Sequence, residues 1–122
     1  MDTSAVLTNR YNPLDYVVTE SDIDQFATCI VDTDIQASPF WKDAEKLLLI
    51  ATISYLKKYS PKEEQTLVGV DSCLVSFANA HEGELPVFKE EASYKKFADT
   101  VAADTQRSVA LKCQDALGKF YT

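Results

Sequence analysis

Ser38-Pro39-Phe40-Trp41-Lys42-Asp43-Ala44-Glu45-Lys46-Leu47-Leu48-Leu49-Ile50-Ala51-Thr52-Ile53-Ser54-Tyr55-Leu56 is the stretch that decides the fold of this chain. Ser38 offers an N-cap, and Pro39 takes the first helical position, where its missing N–H is not needed and its fixed φ suits a helix. No Gly or Pro interrupts the run from Phe40 to Leu56. Leu47, Leu48, Ala51 and Tyr55 form one apolar stripe, and Leu49, Ile50, Ile53 and Leu56 cover much of the remaining circumference. A helix apolar nearly all round must be covered by neighbours on several sides. The stretch therefore predicts a long, buried central helix over about residues 39–59, with Lys57 and Lys58 suited to the negative end of its dipole.

The flanks supply the neighbours. Upstream, either Thr19 with Asp22 or Ser21 with Asp24 offers a cap followed three residues later by an acid, and Ile23, Phe26, Ala27 and Ile30 repeat at helical spacing. Residues 32–37 end that helix. Downstream, Ser60-Pro61-Lys62-Glu63 has the form of a capping box, and periodicity resumes through Leu67, Val70, Leu74, Phe77 and Ala78, with Gly69 marking a kink or a junction. His81 to Pro86 reads as a loop. Phe88, Ala92, Phe97 and Val101 then suggest one helix, and Val109, Cys113, Ala116, Leu117 and Phe120 a last one. The expected fold is all-α, a compact bundle of five to six helices around the central one.

Composition agrees with this reading. A chain of 122 residues that is 46% hydrophobic and 25% charged can bury one core and suits one domain. Three Gly and four Pro are too few for an all-β fold, which needs a turn every ~8–12 residues. The net charge of −7 argues against a nucleic-acid binder, because neutralising phosphates supplies most of such affinity. The acidity is uneven: residues 1–41 hold seven acids against Arg10 alone, whereas residues 42–122 hold twelve acids and eleven bases. No apolar run approaches the ~18 residues of a membrane span, no export signal opens the chain, and unpaired cysteines suggest a reducing, cytoplasmic setting.

Little in the sequence suggests catalysis. Gly69, Gly83 and Gly118 stand alone, so no glycine-rich phosphate cradle is present. Cys29, Cys73 and Cys113 lack CxxC spacing and His81 is the single histidine, which disfavours a zinc site and a Cys-His nucleophile alike. The cysteines read as small hydrophobes in helical patterns, and the acid pairs Glu63-Glu64 and Glu90-Glu91 as solvated faces. Tyr94-Lys95-Lys96-Phe97 reads as an amphipathic turn, and Trp41 as a core anchor before a partner hot spot. No catalytic residue, cofactor or metal ligand is expected.

Three strings together resemble a family: Tyr11-Asn12-Pro13-Leu14-Asp15-Tyr16-Val17, then Glu20-Ser21-Asp22-Ile23, then Pro39-Phe40-Trp41 leading through Ala44-Glu45-Lys46 to Leu47-Leu48-Leu49. Their order is similar to the all-α domain inserted in the nucleotide-binding domain of TraG-type coupling proteins, the membrane-anchored hexameric ATPases of type IV secretion in conjugation. Glu64-Gln65-Thr66-Leu67 and the stretch from Ser108 to Phe120 resemble the same segment, most closely in the Gram-positive branch. The chain departs from the family at Asp104-Thr105, where a Lys-Thr is usual, and it lacks the phosphate loop, the acidic strand motif of the ATPase and the transmembrane stem.

The resemblance implies a non-catalytic, cytoplasmic receptor domain over residues 19–122, with residues 1–18 an irregular border to an absent ATPase core. Its partners would be a relaxase or a relaxosome accessory protein. On the residues themselves, Glu20, Asp22, Asp24, Asp32 and Asp34 flank a helix whose apolar stripe turns inward, which predicts a negative face with no intervening base. The alternative is direct DNA contact through a local patch of Lys57, Lys58, Lys62, Lys95 and Lys96.

Overall fold

The computed structural model describes residues 12–33, 38–81 and 84–121. Among these are five α-helices and no strand: α1 (Glu20–Val31), α2 (Pro39–Tyr59), α3 (Leu67–Ala78), α4 (Ala92–Thr100) and α5 (Ala103–Tyr121). Short 3-10 turns at Pro13–Tyr16 and Lys62–Glu64 precede α1 and α3. The predicted central helix is α2, 21 residues long and starting at Pro39. It packs against all four other helices, and α5 packs in turn against α1, α2 and α3.

Burial explains why α2 is central. Leu48, Leu49, Ala51 and Ile53 are fully buried and Leu56 nearly so, while Leu47, Ile50 and Tyr55 are half-buried against the same core. The other helices each contribute one stripe: Ile23, Ala27 and Ile30 from α1, Val70 and Leu74 from α3, and Val109, Cys113 and Leu117 from α5. At the α3–α4 end, Phe77, Phe88, Tyr94 and Phe97 form an aromatic cluster with ring centroids from 5.6 to 6.2 Å apart. Phe26 of α1 meets Phe120 of α5 at 5.3 Å at another seam.

The helix starts refine the sequence reading. At α1 the choice falls on Thr19: its Oγ1 accepts from the Asp22 N–H at 3.1 Å, and the Asp22 carboxylate accepts from the Thr19 N–H at 3.0 Å. Ser38 precedes α2 without a side-chain cap bond, so Pro39 alone marks that start. The capping box expected at Ser60 does not form. Ser60 closes α2 in extended backbone, residues 62–64 make one 3-10 turn, and Thr66 caps α3 by accepting from the Gly69 N–H at 3.1 Å. Gly69 therefore sits in the first turn of α3 and does not divide it. Its role is steric: any Cβ at this position would overlap the Glu64 carbonyl oxygen.

Residues 1–11, part of the expected border segment, lie outside the described residues, as does Asp34. Residues 12–18 join the core. Leu14 and Val17 are buried, Asn12 Nδ2 donates to the Gln65 carbonyl at 2.7 Å, and Lys57 Nζ donates to the Leu14 carbonyl at 2.8 Å. Among the described residues no helix is long and apolar enough to cross a membrane.

Candidate functional site

The acids of α1 do not form the uninterrupted negative face that the sequence predicts. Asp24 pairs with Lys46 at 2.9 Å and Asp32 with Lys42 at 3.8 Å, both bases projecting from the neighbouring α2. Asp22 is engaged in the helix cap, accepting from the Thr19 and Val18 N–H groups at 3.0 and 3.1 Å. Those backbone bonds, the Thr19 one foremost, hold its carboxyl below the ordinary carboxylate range. Glu20 is exposed in the first turn. Lys42 and Lys46 stand four apart on one face of α2, a spacing visible in the sequence, but their facing α1 depends on packing.

The lysines are also dispersed among partners. Lys57 is tied to the Leu14 carbonyl, Lys58 donates to Glu91 Oε1 at 2.9 Å, and Lys95 lies 3.6 Å from Glu90. Lys62 and Lys96 are exposed on separate elements, the turn before α3 and α4. Glu91 departs from the solvated-face expectation: its side chain is only 8% exposed, against 54% for Lys58. The hydrogen bond to Glu91 raises the Lys58 pKa. A residue on an interhelical ion pair retains less attraction for phosphate than a free one.

The described residues enclose a groove with a volume of ≈ 580 Å³. The exposed face of α3 forms its floor, the turn at Glu63 and Glu64 one wall, and the loop carrying Glu84, Leu85 and Val87 the other. Gly69, Ser72, Cys73 and Ser76 repeat on α3 at intervals of three, four and seven, so small side chains line its floor. Val68, Leu85 and Val87 are each more than 60% exposed at its edge. The volume falls within the ~300–1,000 Å³ usual for ligand clefts. Sequence reading followed the buried stripe of α3 and passed over this second stripe, whose spacing was the available signal.

The cysteine chemistry is muted. Desolvation pushes the half-buried Cys73 thiol upward, helped by the charge of Glu64. Cys113 is fully buried, its thiol donates to the Glu45 carbonyl at 3.5 Å, and its pKa stands well above the ordinary value for the same first reason. Both thiols therefore stay protonated at neutral pH and make poor nucleophiles. Cys29, expected among the buried hydrophobes, is exposed. His81 is exposed in its loop, and Trp41 is half-buried with Lys112 5.4 Å above its ring. Among the described residues, no three His, Cys, Asp or Glu side chains gather as a metal site. No family model, curated protein or solved structure matches the chain.

Proposed function

We propose that the chain is a non-catalytic substrate-recognition domain of a conjugative coupling protein, docking a relaxase or relaxosome accessory protein for transfer through a type IV secretion system. The observation that carries this reading is the Pro39-Phe40-Trp41 to Leu49 string heading the buried central helix of an all-α domain. Two further strings of the resemblance support it: Asn12 to Val17 wraps the core beside Gln65, and Glu64 to Leu67 leads into α3. The matching residues are thus read as scaffold, and recognition falls to the surface they hold in place. Selection occurs by surface complementarity, and an ATPase core outside this chain performs the mechanical work. Among the acids flanking α1, Glu20 adds most to the long-range attraction for a basic partner, because Asp24 and Asp32 are paired with Lys46 and Lys42 and Asp22 is held in the cap. This effect on association rate fades as salt shortens the Debye length to ~8 Å.

The test is calorimetry of the purified domain against the relaxase and accessory proteins encoded beside it, at low and physiological salt, with duplex DNA and ATP in parallel. Saturable micromolar binding of one relaxosome protein, with much weaker duplex binding, is the expected result. Association with none of them refutes the reading. Tight duplex binding with a steep salt dependence favours DNA contact through the lysines instead. Saturable ATP binding would overturn the purely receptor role.

A further inference from the structure

We propose that the groove between α3 and the 84–88 loop is the docking site for a short amphipathic helix of a protein partner, with an apolar stripe flanked by lysine or arginine. This rests on the receptor reading above and names the surface that performs it. The first support is the shape of the floor. Ser72, Cys73 and Ser76 project small side chains along one face of α3 beyond Gly69, whose own face is covered by the Glu64 carbonyl, and helix axes approach to ~8–10 Å according to the side chains between them. A second helix can settle there with its own larger residues filling the groove, the anchors standing three and four apart.

The second support is the apolar edge. Val68, Leu85 and Val87 are 68%, 63% and 62% exposed, so three of the large hydrophobics left in water border one groove. A partner that covers them removes apolar surface from water at roughly 25 cal/mol per Å². The third support is charge. Glu63, Glu64 and Glu84 line the groove and, among the described residues, no base does, so the field over it is negative. A basic flank on the partner answers that field. A second copy of this chain does not: two acidic grooves would face each other, on molecules that each carry a net charge of −7. Hydrophobic anchoring supplies affinity here, and the glutamates supply orientation and rate.

The probe is a short synthetic helical peptide with leucines at i, i+3, i+4 and i+7 and flanking lysines, titrated into the intact domain and followed by amide NMR shifts and fluorescence anisotropy. Saturable binding is expected, with shifts centred on Val68, Ser72, Cys73, Leu85 and Val87. Val68→Arg should weaken it at least about tenfold, the effect of replacing an apolar contact at the groove edge with a charge. Glu63→Lys with Glu84→Lys should weaken it similarly and flatten its salt dependence. All three positions are exposed, so folding should survive, as far-UV circular dichroism will verify. Shifts confined to the α1 acids, or an affinity indifferent to Val68→Arg, overturn the proposal. Concentration-dependent dimerisation abolished by Val68→Arg also overturns it, by making a second copy the occupant. The relaxosome protein is then titrated against wild type and Val68→Arg. Equal binding to both refutes the groove and leaves the receptor reading standing. Peptide in the groove with no relaxosome protein bound refutes the receptor reading and leaves the groove standing.

Discussion

Alanine at the two described glycines should shift stability in opposite directions, because one position is sterically filled and the other is open. At Gly69 a Cβ would overlap the Glu64 carbonyl oxygen and lie 3.2 Å from its carbonyl carbon and 3.6 Å from Leu56 Cδ1. The obstacle is backbone, so the 62–64 turn must retreat by roughly 1.5 Å to restore ordinary contact near 3.5 Å. That turn holds the Glu64 N–H to Pro61 carbonyl bond at 2.9 Å and the Gln65 N–H to Lys62 carbonyl bond at 3.0 Å. It also borders the 2.7 Å bond from Asn12 to the Gln65 carbonyl. Losing two such bonds costs about 2 kcal/mol, and the better helix propensity of alanine in a first turn returns about 0.5. Gly69→Ala should therefore destabilise by about 1.5 kcal/mol. Gly118, in α5, has nothing within 4 Å of its Cβ position, so Gly118→Ala should stabilise by about 0.5–1 kcal/mol. Urea denaturation followed by circular dichroism measures both, and in thermal melts each kcal/mol corresponds to roughly 3–6 °C for a domain of this size. Gly69→Ala as stable as wild type would refute the steric argument.

Other perturbations probe the ion pair, the cap and the core. Lys58→Met leaves the Glu91 carboxylate without its partner; allowing for the solvent exposure of Lys58, a loss of about 1–2 kcal/mol is expected, partly restored by adding Glu91→Gln. No loss in urea titration would show the pair to be inert. Asp22→Asn should lower stability at neutral pH but not in acid: the native carboxyl has the lower pKa, so its contribution is complete above about pH 4 and vanishes as pH falls through the native value. Wild-type and variant curves that stay parallel from neutral to strongly acidic pH would contradict this sign. Phe97→Ala removes a fully buried ring from the aromatic cluster and should cost about 3–5 kcal/mol, a large share of the ~5–15 typical of a domain. A loss under ~1 kcal/mol in denaturant titration would mean the cluster is loosely packed.

Local signals carried the fold. The run from Pro39 to Tyr59 became a helix because its start signal, its apolar circumference and its freedom from breakers all lie within one segment. The Thr19–Asp22 cap was legible as one of two choices for the same reason, and the stripe Val109, Cys113 and Leu117 placed the last helix. Tertiary structure decided what the exposed side chains do. Lys42 and Lys46 face the acids of α1 only because α1 packs on α2 in that register, and Glu91 is buried only because α4 meets the end of α2. Ser60 lost its expected helix because Gly69 admits the 62–64 turn against α3, a contact across several residues that no capping pattern encodes. The groove has the same origin: its small floor residues form a helical period in α3, but its walls come from two loops. Helical periodicity is a property of neighbours three and four apart, whereas a surface is made wherever distant segments happen to be brought together.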